Sequence, residues 1–219
     1  IINILKGLGI GADCSSLPEL IMSDKVGITG ENIMFTSNQT PKEEYVKAKE
    51  LGAIINLDDI THIPYLKKYA GIPELICFRY NPGPLRTGNA IIGNPVESKY
   101  GLTKEQIFDA YKEVRDLGAK RFGIHSFVIS NELNRASYVE TAKMLFELAV
   151  ELKNKIDIRL EFVNLSGGIG IPYKPEQDAV DLEKLGEEIR QLYDKIVVPN
   201  GLDPLKIYSE CGRMITGPY

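Results

Sequence analysis

An apolar run in the last third of the sequence ends in two glycines, Gly167 and Gly168, within the segment NLSGGIGIPY at residues 164–173. Glycines let backbone N–H groups approach an anion closely and form the concave nest that is typical of phosphate sites. A glycine pair after a strand can equally be a tight turn. Arg213, whose guanidinium can make paired contacts to phosphate oxygens, favours the anion site. The pattern therefore predicts a phosphate ligand of mononucleotide size.

The glycines near the amino end give no support for a dinucleotide site. Gly7, Gly9 and Gly11 do not fit the spacing GxGxxG, because Ala12 stands where its last glycine would be. The lysine pattern of a Walker A loop is missing from the sequence as well.

Other apolar runs also end in side chains that could do chemistry. These are Arg79, His125, Phe127, Ser130, Glu210 and Cys211. For His125 the sequence does not distinguish a structural from a catalytic role. Cys211 is interpreted as a small buried residue, because no histidine that could activate its thiol is close to it in sequence. His62 is expected at the surface near a helix start. With only two histidines and no acidic pair at ligand spacing, we expect no metal site.

Composition narrows the partners that the protein could bind. A net charge of −4 and a pI near 5.4, with both signs interleaved, argue against a nucleic-acid footprint or a basic membrane-surface helix. Three scattered cysteines offer no disulfide framework, and no apolar run reaches the ~18 residues of a membrane span. We expect a cytoplasmic protein whose partner is a small molecule or another subunit.

Seven short apolar runs alternate with amphipathic stretches, and this alternation predicts a parallel α/β fold. The predicted strands are residues 9–14, 32–37, 53–58, 74–80, 121–127, 160–165 and 206–211. The pattern fits either a doubly wound sheet or a barrel that lacks one unit, in one domain over residues 1–219. In both architectures ligands bind at the carboxyl ends of the strands, where the residues above lie.

Two helix starts are predicted from capping-box spacing. Thr103 is followed by Gln106, and Ser137 is followed by Glu140. After Ser137 a stripe at helical spacing predicts one face packed on the sheet. The stripe consists of Tyr138, Ala142, Leu145, Ala149 and Leu152.

Six stretches, in this order, resemble the fold type III pyridoxal-phosphate-dependent decarboxylases, most closely the diaminopimelate decarboxylase family. They are ADCSSLPEL, FRYNPGP, NPVESKYGLT, FGIHSFVIS, NLSGGIGIPY and ECGRMITGPY. The resemblance runs over nearly the whole chain. It implies a TIM-type (β/α)8 barrel that binds pyridoxal 5'-phosphate, followed in the family by a β-domain, in a homodimer.

The resemblance also implies roles for single residues. Gly167 and Gly168 match the glycine loop that binds the cofactor phosphate, Ser166 stands where a further glycine is usual, and Ser130 matches a serine that helps to hold that phosphate. Glu210 matches the catalytic carboxylate that faces the pyridine nitrogen and keeps it protonated.

Two arginines and two neighbours of Glu210 complete the implied cofactor site. Arg213 matches an arginine that serves the phosphate or the substrate carboxylate, and Arg79 matches an arginine near the cofactor edge. Cys211 and Gly212, which lie between Glu210 and Arg213 in ECGR, belong to the same cofactor-binding stretch.

Three positions depart from the family pattern. Phe127 replaces the histidine that stacks on the cofactor ring, and an aromatic face can still stack there. Ile129 replaces a glycine, and Cys211 replaces a proline. These changes indicate a divergent branch with an altered ring pocket.

Compared with the family, the sequence is expected to lack the first barrel strand, with its cofactor-binding lysine, and the C-terminal β-domain. Lys6 would lie on the helix after that strand, at the surface. The implied reaction is decarboxylation of meso-diaminopimelate to L-lysine, which the isolated segment would not carry out. Decarboxylation of ornithine, arginine or carboxynorspermidine, or a non-catalytic homologue that binds partners, are the alternatives, and a racemase is less favoured.

Overall fold

The computed structural model describes residues 1–87, 91 and 93–217, and these residues form one parallel sheet of seven strands. The strands are β1 (Ala12–Cys14), β2 (Ile33–Ser37), β3 (Ile54–Leu57), β4 (Leu75–Arg79), β5 (Arg121–His125), β6 (Leu160–Asn164) and β7 (Lys206–Tyr208).

The order of the strands decides between the two predicted architectures. Neighbours in the sheet are neighbours in sequence from β1 to β7, and every pair is parallel. A doubly wound sheet would reverse its order at a switch point, whereas a barrel adds strands in one direction. The barrel alternative is confirmed. Within the described residues β1 and β7 do not pair with each other, so the seven strands form an open barrel wall.

All seven predicted strands are present, and most of them end earlier than expected. The residues at the predicted carboxyl ends, such as Phe127 and Glu210, follow the last paired residue of their strand. They therefore belong to the loops at the mouth of the barrel, which we define as the end of the sheet where the strands finish.

Eight α-helices surround the sheet in the described residues. They are α1 (Ile2–Gly7), α2 (Leu17–Lys25), α3 (Lys42–Glu50), α4 (His62–Tyr69), α5 (Lys104–Asp116), α6 (Arg135–Ile156), α7 (Leu182–Leu192) and α8 (Gly212–Thr216). The main core lies between the helices and the outer face of the sheet, and the stripe predicted for α6 is buried in full. In the described residues no helix is both long enough and apolar enough to cross a membrane.

One of the two predicted capping boxes is correct. Thr103 accepts from the backbone N–H of Gln106 at 3.3 Å, and the Gln106 side chain accepts from the Thr103 N–H at 2.9 Å. The box predicted at Ser137 is wrong, because α6 begins at Arg135. Asn134 caps it by accepting from the N–H of Ala136 at 3.0 Å, so that Ser137 lies inside the first turn.

The structure places two further residues that the sequence analysis discussed. Lys6 is exposed on α1, as expected, and its Nζ donates to the carbonyl of Val26 at 2.8 Å. His62 begins α4, but it is half-buried rather than a surface residue, because its ring packs 6.3 Å from the ring of Tyr45.

The inner face of the wall carries a small apolar layer of its own. Phe162 of β6 fills it and stacks on Tyr208 of β7, with ring centroids 4.8 Å apart. Gly123 of β5 makes room for that ring, since a Cβ at this position would lie 2.0 Å from the Phe162 Cζ. This apolar layer covers the inner face of the sheet below the mouth.

Candidate functional site

Above the apolar layer the inward-facing positions become polar. Side chains on one face of a strand recur at every second residue, so the inward residues that follow Met34, Cys77 and Phe162 are Thr36, Arg79 and Asn164. The same parity gives the polar layer of the mouth as Asp13, Thr36, Asn56, Asp58, Arg79, His125, Asn164 and Glu210. Most of the sheet therefore contributes to one site.

Glu210 is held by side chains from β6, from the loop that follows β6, and from β5. The amide of Asn164 donates to its Oε1 at 2.6 Å, and the hydroxyl of Ser166 donates to its Oε2 at 3.2 Å. The Nε2 of His125 lies 3.5 Å from the same Oε2. The carboxylate is thus fixed from two sides, with 16% of its side chain exposed.

These contacts set the charge at the mouth. Burial alone would raise the pKa of Glu210, but the contacts from His125, Asn164 and Ser166 outweigh it and bring the pKa below its usual value. Burial, together with the nearby charge of Glu210, raises the pKa of Asp13 to about 7. At neutral pH Glu210 is therefore ionised, and Asp13 is partly protonated.

His125 contacts Glu210 and is 1% exposed. Among the described residues its Nδ1 has no hydrogen-bond partner, and its Nε2 has only the 3.5 Å contact with Glu210, at the outer limit of a hydrogen bond. Buried polar atoms without partners are rare in folded proteins. The histidine left open between two roles thus contacts the predicted catalytic carboxylate.

The glycine loop packs directly on the neighbouring loops of the mouth. A Cβ on Gly167 would lie 2.1 Å from the carbonyl oxygen of Glu210, and one on Gly168 would lie 2.4 Å from that of Ile129. Gly168 also has a φ of +90°, which favours glycine. Close backbone approach therefore requires glycine at both positions. The glycine pair forms a tight turn, and this turn is the loop that the sequence analysis predicted to bind an anion.

Backbone hydrogen bonds join the loop after β5 to the loop after β6. The N–H of Glu132 donates to the carbonyl of Gly168 at 2.8 Å, and the N–H of Gly170 donates back to Glu132 at 2.9 Å. The side chain of Asn131 accepts from the N–H of Ile171 at 3.2 Å. This pairing places Ser130 beside the glycine loop, since a Cβ on Gly168 would lie 3.3 Å from the Ser130 Cα.

Arg79 and Phe127 meet on the other side of the mouth. The guanidinium carbon of Arg79 lies 5.8 Å from the ring centroid of Phe127 and 5.4 Å from that of Tyr100. Asp58 holds the arginine through an ion pair of 2.9 Å and accepts from Asn38 at 2.5 Å. The rings of Phe127 and Tyr100 and the ion-paired Arg79 therefore form one wall of the mouth. Of these three residues, the sequence analysis had identified Arg79 and Phe127.

Arg213 lies three residues after Glu210, in α8, and its side chain contacts Tyr173. Cys211 is the N-cap of α8, Gly212 begins that helix, and the N–H of Gly212 donates to the carbonyl of Glu210 at 2.9 Å. The exposed guanidinium of Arg213 donates to the hydroxyl of Tyr173 at 2.5 Å. Cys211 is half-buried, and burial raises the pKa of its thiol, in agreement with its interpretation as a packing residue.

The mouth thus brings together the glycine loop, Ser130 and Glu210 on one side, and Arg79 with Phe127 on the other. The sequence analysis missed Asn164, Asp58 and Tyr100. Alternation along β6 could have indicated Asn164, because it is the polar residue of an apolar strand on the same face as Phe162. Asp58 and Tyr100 are long-range contacts of Arg79 without such a signal.

Comparison with known proteins supports the family to which these features point. The profile of the family described as "Pyridoxal-dependent decarboxylase, pyridoxal binding domain" matches residues 1–217. Protein TabA of Pseudomonas amygdali pv. tabaci is 33% identical over 219 residues, which are 100% of this chain and 51% of that protein. The diaminopimelate decarboxylase of Methanothermobacter thermautotrophicus is 28% identical over 99% of this chain and 51% of its own length.

A solved structure shows the same fold. The diaminopimelate decarboxylase of Helicobacter pylori, complexed with L-lysine, superposes with a TM-score of 0.84 at 24% identity, covering 98% of this chain and 54% of that one. The chain spans about half the length of the curated relatives it matches. Because the family profile covers nearly every residue, the chain belongs to the pyridoxal-dependent decarboxylases, as a pyridoxal-binding domain of that family.

Proposed function

We propose that the protein containing this domain decarboxylates meso-diaminopimelate to L-lysine and carbon dioxide. The proposal rests on one observation above all: the carboxyl group of Glu210 is held by Asn164 and Ser166 next to the loop of Gly167 and Gly168. The diaminopimelate decarboxylase of Methanothermobacter thermautotrophicus supports the choice of substrate.

The residues at the mouth fit pyridoxal phosphate, the cofactor of the family. The buried ring nitrogens of His125 lack full hydrogen bonding among the described residues, as does the Nε of Arg79, so polar groups remain for a ligand between them. When bound, pyridoxal phosphate supplies an electron-accepting ring that takes up the electron pair left by departing carbon dioxide.

Glu210 would act on the ring nitrogen. Since its pKa is below the usual value, its carboxylate is ionised at neutral pH and can hold a proton on a pyridine nitrogen by charge. Asn164 would fix its orientation through the 2.6 Å hydrogen bond. A proton retained on the ring nitrogen makes the ring a better electron acceptor, which is the condition for loss of the carboxyl group.

The phosphate would bind where three loops converge. Gly167 and Gly168 offer backbone N–H groups, with the hydroxyl of Ser130 and the N-terminal turn of α8 beside them. Arg213, now bonded to Tyr173, would either turn to the phosphate or meet the substrate carboxylate. These contacts would anchor the cofactor and leave its ring toward Glu210.

The wall of Arg79, Phe127 and Tyr100 would support the cofactor ring from the opposite side. An aromatic face at Phe127 can stack on the ring, although it cannot form the hydrogen bonds of a histidine. We propose that the active assembly is a homodimer, as the resemblance to the family implies. We propose a cytoplasmic location on the basis of the few scattered cysteines.

Decarboxylation of ornithine, arginine or carboxynorspermidine is the alternative within the family. Protein TabA, which is not named a diaminopimelate decarboxylase, is 33% identical to this chain, whereas the diaminopimelate decarboxylase of Methanothermobacter thermautotrophicus is 28% identical. To distinguish them, the full-length protein would be purified with pyridoxal phosphate and offered each amino acid in turn. Release of carbon dioxide with formation of L-lysine from meso-diaminopimelate is expected. Release from another substrate alone would favour the alternative, and no release from any would favour a non-catalytic homologue.

A further inference from the structure

Ser166 has a backbone conformation that serine rarely adopts. Its φ is +61°, in the left-handed region that glycine occupies without cost, and the residue is 6% exposed. Besides Ser166, the described residues hold two other non-glycine positions with positive φ, Asn131 and Asp157, and these are of the types that tolerate it best. The serine therefore stands where backbone geometry alone would select glycine.

Among the residues that the structure describes, the hydrogen bonds of Ser166 involve Glu210 or Asn164, the residue that orients Glu210. Its N–H donates to the Oδ1 of Asn164 at 2.9 Å, and its carbonyl accepts from the N–H of Glu210 at 2.9 Å. Its hydroxyl donates to the Oε2 of Glu210 at 3.2 Å. A glycine at position 166 would keep the two backbone hydrogen bonds and lose only the hydrogen bond from the hydroxyl. The contact of the hydroxyl with Glu210 is therefore what serine adds at this position, in spite of its strained backbone.

The hydroxyl of Ser166 contacts the oxygen of the Glu210 carboxylate that has the longer other contact. Oε1 of Glu210 has the 2.6 Å bond from Asn164, whereas Oε2 has, besides Ser166, the 3.5 Å contact with His125. Without Ser166 the carboxylate could rotate about its last torsion, since a single bond does not fix its plane.

We propose that Ser166 is a positioning residue that orients the carboxylate of Glu210 toward the cofactor ring. This inference rests on the proposed function, because it assigns Ser166 to the residue that faces the ring nitrogen. The charged and titratable groups around Glu210 are His125 from β5, Asp13 from β1, Cys77 and Arg79 from β4, and Cys211 in its own loop. All of them remain when only the hydroxyl of Ser166 is removed.

Two substitutions in the full-length protein separate the hydroxyl from the backbone. Ser166→Gly removes the hydroxyl and relieves the strain, whereas Ser166→Ala removes the hydroxyl and keeps the strain. If Ser166 positions Glu210, turnover per bound cofactor should fall about 10-fold in both variants, and the acid limb of the pH profile should move to higher pH, because a hydrogen bond that favours the charged form is lost. Thermal stability of the cofactor-free protein should be higher for the glycine variant than for the alanine variant, since only glycine suits the positive φ.

A matched control removes another buried hydroxyl away from the mouth. Ser23 of α2 contacts the thiol of Cys14 at 3.4 Å on the outer side of the sheet, and Ser23→Ala should leave turnover and the pH profile unchanged. A Ser166→Gly protein with wild-type turnover and an unshifted acid limb would overturn the inference and leave the proposed function intact. Failure of the wild-type protein to bind pyridoxal phosphate and release carbon dioxide would instead overturn the proposed function.

Discussion

Replacing Gly168 by alanine tests whether the glycine loop is fixed by its contacts with the loop after β5. A Cβ at this position would lie 2.4 Å from the carbonyl oxygen of Ile129 and 2.9 Å from its carbonyl carbon. Neither backbone can move freely, because Gly168 also accepts the 2.8 Å hydrogen bond from Glu132. The substitution must therefore either displace both loops or leave a collision.

The structure gives the size of the effect from two sources. An L-residue held at a φ of +90° costs about 1–2 kcal/mol, and overpacking against a backbone costs about 1–3 kcal/mol more. We expect Gly168→Ala to lower the free energy of unfolding by about 2–5 kcal/mol. Affinity for pyridoxal phosphate should fall at least about 10-fold, because the loop that would bind the phosphate is displaced.

Gly186 provides a matched control in the same domain. It lies inside α7, and a Cβ there would meet no atom within 4 Å. Gly186→Ala should stabilise the helix by about 0.5–1 kcal/mol and leave cofactor affinity unchanged. Thermal melting and cofactor titration of both full-length variants would make the comparison. Equal melting temperatures and equal affinities for the two variants would refute the packing argument for the mouth.

Three other substitutions test separate parts of the structure. Gly123→Ala would put a Cβ 2.0 Å from the ring of Phe162, so we expect a loss of about 1–3 kcal/mol in urea denaturation, and wild-type stability would show that the inner layer is not tightly packed. In the folded protein the pKa of Asp13 is raised to about 7 from the usual 3.8. Between about pH 4 and pH 7 the folded state therefore keeps a proton on Asp13 that the unfolded state has lost, and the contribution of this proton to the free energy of unfolding decreases as the pH rises. Surrounding protein desolvates the carboxyl group of Asp13, but the residue as a whole is exposed at the mouth, so solvent screens its charge and we expect no more than about 1 kcal/mol. The stability of Asp13→Asn relative to wild type should increase between about pH 5 and pH 8, and a constant difference would contradict the assignment. Arg213→Ala should weaken retention of pyridoxal phosphate or raise the KM for the amino acid by about 10-fold, with little loss of stability. Unchanged binding of both would mean that Arg213 binds neither of them and only contacts Tyr173.

The strands and the tight glycine loop could be predicted from the sequence because their signals are local. Strands buried on both faces are apolar almost throughout, so β2 and β3 are visible as short runs. The adjacent Gly167 and Gly168 indicated a tight turn, and the structure shows a close backbone approach at both positions. The cap at Thr103 is equally local, since all its partners lie within one turn.

The features that could not be predicted depend on distant contacts or on competition between neighbours. The helix start at Ser137 was wrong because Asn134, three residues earlier, already caps the same helix. The ion pair of Asp58 with Arg79 joins residues 21 positions apart, and no spacing rule announces it. Helix α8, at Gly212–Thr216, is too short to show a periodic pattern, and its arginine bonds to Tyr173 from a different loop.

The role of Ser166 illustrates the same distinction. From the sequence it is a serine where the resemblance leads one to expect glycine, and only the φ of +61° and the contact with Glu210 show what the side chain gains there. Departures of this kind are informative because a strained conformation persists only where surrounding contacts hold it.

Glu210→Gln in the full-length protein tests the central claim most directly, because glutamine keeps the size of the side chain and removes its negative charge. The quantities to measure are bound pyridoxal phosphate per chain and carbon dioxide released per bound cofactor. If the carboxylate holds the proton on the ring nitrogen, cofactor content should stay near wild type while turnover falls by about 100-fold or more. Full turnover in the glutamine variant would contradict the account.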